Sequence, residues 1–136
     1  IKRLQGQVAA LKKEGIAGNS EQISGLNLIR DTIDAEMPEL IKIVTELVEK
    51  EDVDIAVVGS PEGKIVGAVS EKALKRGIKI NKIIKGAAGV LGGGGGGKPQ
   101  LAQGAGRHPE KMNEALEFVY NDIKSRLSQK SLNGFI

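Results

Sequence analysis

Six consecutive glycines occupy residues 92–97, and they constrain the fold of this chain more than any other feature. Each glycine loses more conformational entropy on folding than another residue would, so the run lowers stability unless the folded state requires it. Two interpretations remain open. The run is either a flexible surface linker, or a loop in which the backbone closely approaches another backbone or a phosphate and exposes its N–H groups. Lys98 and Arg107 flank the run and favour contact with an anion.

The length of 136 residues allows one compact domain and a short appendage. The chain has no cysteine, which excludes disulfides and thiolate metal sites. No apolar run approaches the roughly 20 residues needed to cross a bilayer, so we expect a soluble, cytoplasmic protein. Only Phe118, Tyr120 and Phe135 are aromatic. The core must therefore be aliphatic, and unpaired bases would find few side chains to stack on.

The N-terminal segment carries apolar residues at spacings of three, four and three, namely Ile1, Leu4, Val8 and Leu11. This pattern is typical of the a/d seam of a helix that packs along one narrow stripe. Either a second subunit or the chain's own core would cover it. Because the pattern is already under way at residue 1, we interpret the chain as a fragment. We predict a helical arm and linker at residues 1–19 and a globular domain at residues 20–136.

Apolar patterning in the domain predicts both strands and helices. It predicts a strand at residues 22–30, an amphipathic helix at residues 37–48, and strands at residues 53–58 and 64–69. The sequence Pro61-Glu62-Gly63 between the last two has the composition of a tight turn, because proline presets φ and glycine accepts a positive φ. We therefore expect these two strands to form a hairpin.

Three further helices are predicted in the second half of the chain. One spans residues 70–76 and ends at Gly77, and the next begins at Ile80 and ends at the glycine run. The last begins near Pro109 and buries one stripe, formed by Met112, Leu116, Val119, Ile123 and Leu127. Residues 100–106 contain too many small side chains to assign. The mixed order of elements predicts an α+β domain with helices packed on a mixed β-sheet.

Charge is segregated along the chain. Residues 31–62 contain 10 acidic and 2 basic side chains, and residues 63–111 contain 10 basic and 2 acidic ones. A basic lobe of this kind can bind a polyanion, or the acidic lobe of another copy. With so few aromatics, we expect contact with the phosphates of a folded RNA. The candidate residues are Lys72, Lys75, Arg76, Lys79, Lys82, Lys85, Lys98 and Arg107.

No catalytic apparatus is evident. Residues 92–98 fit the pattern G-x-x-x-x-G-K, but Pro99 follows where a phosphate-binding loop needs Ser or Thr and the start of a helix. His108 is the single histidine, and without cysteine it cannot build a usual zinc site. We expect it to cap the last helix or to contact a phosphate. We predict no catalytic residue and no metal ligand.

The glycine segment resembles the glycine-rich motif of alanyl-tRNA synthetases, in which a broken glycine run precedes a basic residue, Pro, two residues, Ala-Gln and small residues. Here the run precedes Lys98-Pro99-Gln100-Leu101-Ala102-Gln103-Gly104. The helix from Ile80 and the hairpin of residues 53–69 are similar to that family's C-terminal domain, which is related to the domain accompanying DHH-family phosphoesterases. The resemblance covers about residues 20–128 and is strongest to archaeal members, and the N-terminal seam is similar to the family's helical arm. Ala105 departs from the glycine of many relatives.

The resemblance implies a noncatalytic domain of an alanine-tRNA ligase that dimerises the enzyme and binds alanine-specific tRNA to support aminoacylation and editing. The basic residues and the glycine run, Gly92, Gly93, Gly94, Gly95, Gly96 and Gly97, would contact tRNA. Ile1, Leu4, Val8 and Leu11 would join two subunits. ATP, magnesium and zinc would serve the parent enzyme only, and we expect no cofactor in this part. Neither a membrane nor DNA is an expected partner.

Two alternatives remain. The domain could be a pure assembly module whose basic lobe meets the acidic lobe of its neighbour. It could also be the accessory domain of a DHH-type phosphoesterase that binds a nucleotide or a single strand. The second is disfavoured because such domains follow the glycines directly with histidine, whereas Lys98 and Pro99 follow them here.

Overall fold

The computed structural model describes residues 21–23, 25–50 and 53–135. The helical arm predicted at residues 1–19, with its apolar seam, lies outside them. The described part contains six strands, four α-helices and one 3₁₀ turn. In chain order they are β1 (Glu21–Ile23), β2 (Leu26–Thr32), α1 (Met37–Lys50), β3 (Ile55–Gly59), β4 (Lys64–Val69), α2 (Glu71–Lys75), α3 (Ile80–Val90), β5 (Gly94–Gly97), β6 (Leu101–Ala105), the 3₁₀ turn (Pro109–Lys111) and α4 (Met112–Phe135).

The six strands form one mixed sheet in the order β1-β2-β3-β4-β6-β5. β2 and β3 are parallel, with α1 between them in the chain, and every other neighbouring pair is antiparallel. The helices pack against this sheet, which confirms the predicted α+β class. The predicted hairpin of β3 and β4 is also confirmed.

Apolar side chains from alternate strand residues build a core on each face of the sheet. On β3, Ile55 and Val57 belong to the core that includes α3 and α4, whereas Ala56 and Val58 belong to the core under α1. All five residues of β3 are buried, as expected of a strand covered on both faces. The two faces of the sheet are covered unequally. Among the described helices, α3 and α4 contribute to the core on one face, and α1 alone contributes to the core on the other.

The strand predicted at residues 22–30 is in fact two strands. Ile23 of β1 pairs with Leu26 of β2, and the chain reverses between them. Gly25 has φ of 87° at this reversal, a left-handed conformation that glycine adopts without a steric penalty. The apolar pattern continues across the turn because both strands contribute to the same core, which is why periodicity alone does not reveal the break.

The glycine run is not a loop over most of its length. Residues Gly94–Gly97 form β5, at the outer edge of the sheet, and they pair with β6. β6 itself occupies the segment that small residues had left unassigned. Glycine has no side chain that could show a strand periodicity, so only the pairing between the two segments reveals them.

The predicted ends of several elements are confirmed. The Ser70 side chain caps α2 by accepting a hydrogen bond from the Ala73 N–H, and Gly77 follows the helix with φ of 87°. Gly63 in the β3–β4 turn has φ of 91°, and Gly92 after α3 has φ of 80°. In α4 the predicted apolar stripe is buried over its full length: Met112, Leu116, Val119, Ile123 and Leu127.

A buried carboxylate joins the start of the sheet to α2. Asp54 accepts hydrogen bonds from the Asn27 N–H and the Ser70 hydroxyl, both at 2.9 Å. The Ser70 N–H also donates to the Asp54 carbonyl at 2.7 Å. Since Ser70 caps α2, Asp54 fixes the position from which that helix begins.

We expect Asp54→Ala to lower the free energy of unfolding by about 2–3 kcal/mol, because it leaves the Asn27 N–H and the Ser70 hydroxyl without their charged acceptor. Asp34→Ala is the matched control, since Asp34 is exposed and should change stability by less than about 0.5 kcal/mol. Urea unfolding of both variants tests this. Equal stabilities would contradict the role given to Asp54.

Candidate nucleic-acid interface

The predicted basic residues are distributed over five parts of the fold. Lys72 and Lys75 lie in α2, and Arg76 and Lys79 lie in the connection to α3. Lys82 and Lys85 lie in α3, Lys98 lies in the β5–β6 turn, and Arg107 follows β6. The structure brings some of them together and separates others.

Three lysines form a stripe on the solvent side of α3. The apolar residues of this helix are buried against the sheet and α4, which fixes its rotation. Lys79, Lys82 and Lys85 are exposed. They recur every three residues. Lys79 immediately precedes the helix, and the Cα atoms of Lys82 and Lys85 are about 4.5 Å apart along the helix axis. We call these three residues the lysine stripe.

The lysine stripe runs beside the glycine strand because α3 packs closely on β6 and β5. A Cβ atom placed on Gly104 of β6 would lie 3.0 Å from the Ala88 Cβ and 3.2 Å from the Gly95 Cα. Lys85 is one turn before Ala88, and residues three apart share a helix face. Lys85 therefore lies on the β5 side of the helix.

Lys98 lies at the start of the same helix. The Ile80 N–H, in the first turn of α3, donates to the Pro99 carbonyl at 2.9 Å. This bond ties the β5–β6 turn to the helix and places Lys98 next to the beginning of the lysine stripe. Four of the eight predicted cations are therefore grouped: Lys79, Lys82, Lys85 and Lys98.

The outer edge of β5 presents backbone donors to solvent. Lys98 and Leu101 exchange two hydrogen bonds across the turn, at 2.9 and 3.2 Å. Bonded and non-bonded pairs alternate in an antiparallel ladder, so Gly97 and Gly95 belong to non-bonded pairs. Their N–H groups point away from β6. Among the described residues, no strand pairs with this edge.

The glycines of β5 differ in what the fold requires of them. A Cβ on Gly95 would lie 2.6 Å from the Gln103 carbonyl oxygen, and one on Gly97 would lie 2.7 Å from the Leu101 carbonyl oxygen. Real Cβ atoms do not approach so closely. On Gly94 and Gly96 a Cβ would meet nothing within 4 Å. Of the two interpretations of the run, close approach to another backbone is therefore correct at Gly95 and Gly97.

Two of the remaining predicted cations, Lys72 and Arg107, lie apart from this group. The Lys72 amino group donates to the Gly25 carbonyl at 3.4 Å, at the β1–β2 turn. Arg107 lies beyond the other end of α3, since the N–H of the next residue, His108, donates to the Leu91 carbonyl. The basic residues are thus not one continuous patch.

The capping role predicted for the His108 side chain is wrong. The imidazole makes no capping hydrogen bond, and its Nδ1 lies 3.3 Å from the Glu110 carboxylate. The ring packs against Gly92. The backbone carbonyl of His108, not the side chain, accepts a bond from the Lys111 N–H.

Sequence reasoning missed two features of this surface. The first is the pair of free amides on β5, which depend on strand register and not on residue type. The second is the neutralisation of Lys64, a basic residue outside the candidate set, which contacts Glu62 at 3.3 Å and Glu36 at 3.7 Å. The hydrogen bond that the Lys64 ammonium donates to the Glu62 carboxylate raises the pKa of Lys64, and the two carboxylates offset its attraction for an anion.

The described residues lack the features of two other kinds of site. No group of three or more His, Asp or Glu side chains there could hold a metal ion. No helix in that part of the chain combines the length and the apolar character needed to span a membrane.

We expect Gly95→Ala to lower the free energy of unfolding by about 1–3 kcal/mol, because the new methyl group overlaps the Gln103 carbonyl and the strands must separate. Gly96→Ala is the matched control on the neighbouring residue and should leave stability within about 1 kcal/mol or raise it slightly, through the unfolded state. Thermal and urea unfolding measure both. If Gly96→Ala lowered the free energy of unfolding as much as Gly95→Ala does, the alternation of crowded and open glycines along β5 would be refuted.

Comparison with known proteins identifies relatives of the whole described domain. Over 123 residues, or 90% of this chain, it is 49% identical to an alanine–tRNA ligase of Methanobrevibacter smithii. Over 117 residues it is 50% identical to that of Methanothermobacter thermautotrophicus. The chain spans only 14% and 13% of the lengths of these two relatives.

Solved structures share the fold. The C-Ala domain of Aquifex aeolicus alanyl-tRNA synthetase matches with a TM-score of 0.71 and 27% identity, over 77% of this chain and 97% of that one. RecJ of Thermus thermophilus matches with a TM-score of 0.62 and 11% identity, over 89% of this chain and 18% of that one, a likeness of fold alone. The sequence model of the DHHA1 domain matches residues 24–125. Since this match covers more than half of the chain, the chain belongs to the DHHA1 domain family.

Proposed function

We propose that this chain is the noncatalytic C-terminal domain of an alanine–tRNA ligase, and that it binds tRNA and joins two subunits of the enzyme in the cytoplasm. The alanine–tRNA ligases that it resembles support the first part, because they share about half of their aligned residues with it. The likeness to the Aquifex C-Ala domain supports the position within the parent. Aminoacylation and editing, with their ATP, magnesium and zinc, belong to other parts of that parent.

One observation carries the binding proposal: the lysine stripe and Lys98 lie beside the outward amides of Gly95 and Gly97. A phosphate needs compensating charge and hydrogen-bond donors, and this edge of the sheet offers both. The glycines allow close approach, because no side chain stands in front of the donors. The exposed lysines are free to move toward successive phosphates.

The same surface favours folded RNA over unpaired bases. Phe118 and Tyr120 are both partly buried against the core, so neither offers a fully exposed ring on which an unpaired base could stack. Contacts to phosphate position a nucleic acid without reading its sequence. We therefore expect this domain to add affinity, and the alanine identity of the tRNA to be read elsewhere in the parent.

The dimerisation part of the proposal rests on the sequence. Ile1, Leu4, Val8 and Leu11 form the apolar seam, and a seam of this kind is covered by packing against another surface. The parent would then present two tRNA-binding edges. Sedimentation velocity of the fragment over a range of concentrations tests the association.

We expect Lys82→Glu/Lys85→Glu to weaken binding to alanine-specific tRNA and to reduce the slope of log affinity against log salt by about 2, since each phosphate contact releases about 0.9 counterions. Fluorescence anisotropy at several salt concentrations measures both quantities.

Lys42→Glu is the matched control. Lys42 is an exposed lysine on α1, which covers the opposite face of the sheet. It should change affinity by much less than the double substitution and leave the slope unchanged. An unaltered slope in Lys82→Glu/Lys85→Glu would remove the stripe from the interface. Absence of tRNA binding by the unmodified chain would refute the function itself.

A further inference from the structure

Among the described residues, nothing covers the face of β5 and β6 opposite α3, and this face is poor in polar side chains. Ala102 and Gly104 of β6 are buried toward α3, whereas Leu101, Gln103 and Ala105 face the other side. Gly94 and Gly96 face that side too, since they pair with Ala105 and Gln103. An antiparallel sheet that faces solvent usually places polar residues outward. Here Gln103 is the one polar side chain among these five residues.

A groove of about 470 Å³ lies between α1, the end of β4 and the start of β6, and Leu101 is the residue that it shares with this face. Ala68 of β4 and Leu101 of β6 form its floor, and Val48 of α1 forms an apolar part of its wall. Val48 and Leu101 remain partly exposed although they pack against the core under α1. The groove is therefore an extension of that core in which a further apolar segment would have partners.

The charge around the groove is negative. Glu49 and Glu71 line it, and no lysine, arginine or histidine does. Both carboxylates are exposed, and neither has a hydrogen-bond or ion-pair partner within the described residues. An occupant that combines an apolar stripe with basic flanks would cover the floor and neutralise the two glutamates.

We propose that this groove seats residues 1–13 of a second copy of the chain. That segment has the required chemistry, because Ile1, Leu4, Val8 and Leu11 share one stripe and basic residues flank it at both ends. Those basic residues are Lys2, Arg3, Lys12 and Lys13. The proposal rests on the dimerisation proposed above and names the surface that the seam covers.

A second copy fits the topology better than the same chain. Residues 1–20 join β1, and β1 and β6 are separated by four strand spacings, or about 19 Å. α1 covers the strands between them, so a connection within one chain must pass around that helix. If two copies exchange these segments, the groove of each copy holds the segment of the other, and such a reciprocal contact closes with two-fold symmetry.

Cross-linking between two different single-cysteine chains tests the contact directly, since the natural sequence has no cysteine to react. One chain carries Gln7→Cys, beside the seam, and the other carries Thr45→Cys, in the groove wall. A short bis-maleimide should link the mixed chains into a heterodimer. Asp34→Cys in place of Thr45→Cys is the matched control at the other end of α1, and it should link poorly.

Charge reversal provides a second, independent readout. Glu49→Lys/Glu71→Lys should raise the dimer dissociation constant about tenfold, because it places like charges against Lys12 and Lys13. Adding Lys12→Glu/Lys13→Glu should restore the dimer. Asp34→Lys should have little effect. Sedimentation velocity measures the dissociation constants, and far-UV circular dichroism checks that each variant is folded.

The outcomes separate this inference from the proposed function. A heterodimeric cross-link together with charge-swap rescue supports the groove. A chain with both Gln7→Cys and Thr45→Cys that links only within itself overturns seating by a second copy. A dimer that neither cross-links nor responds to charge reversal overturns the groove and leaves dimerisation standing. An unmodified chain that is monomeric at every concentration refutes the dimerisation itself.

Discussion

The functional edge depends on the close packing of α3 against the backbone of β6. Ala88 of the helix and Gly104 of the strand are small, so the two elements approach until a Cβ on Gly104 would lie only 3.0 Å from that of Ala88. β5 is then drawn against β6 so tightly that Gly95 admits no side chain. These contacts set the distance between the lysine stripe and the outward amides, and a larger residue at Gly104 would push the helix away from them.

Charge segregation along the chain becomes segregation between faces of the sheet. Most of the acidic run lies in β2, in α1 and in their connection, whereas α3 carries the lysine stripe on the opposite face. Lys64 is a basic residue at the acidic end of the sheet, and Glu62 and Glu36 neutralise it there. Charges act on one another over roughly a Debye length, so under the proposed function the α3 face would attract an RNA and the α1 face would repel it.

Local patterns were sufficient to predict the elements whose residues carry their own signal. The stripes of α1 and α4, the Pro61–Gly63 turn and the end of α2 at Gly77 are encoded within a few neighbouring residues, and each is confirmed. The break at Gly25, the strand at Gly94–Gly97 and the strand at Leu101–Ala105 were missed because their evidence is a pairing partner elsewhere in the chain. The site divides in the same way. The three-residue spacing predicts that Lys79, Lys82 and Lys85 lie along one side of a helix. Their distance to Lys98 and the outward direction of the β5 amides are fixed only when the sheet has formed.

Alternate glycines of β5 belong to different surfaces. Gly95 and Gly97 are crowded by β6 and direct their amides to the edge beside the lysines, so the fold and the proposed phosphate contacts share them. Gly94 and Gly96 have open space above them and lie on the face that carries Gln103 and Ala105. The fold does not need glycine there. A substitution at Gly96 should therefore leave the edge amides and the proposed phosphate contacts in place, whereas a substitution at Gly95 should disturb both the pairing with β6 and those contacts.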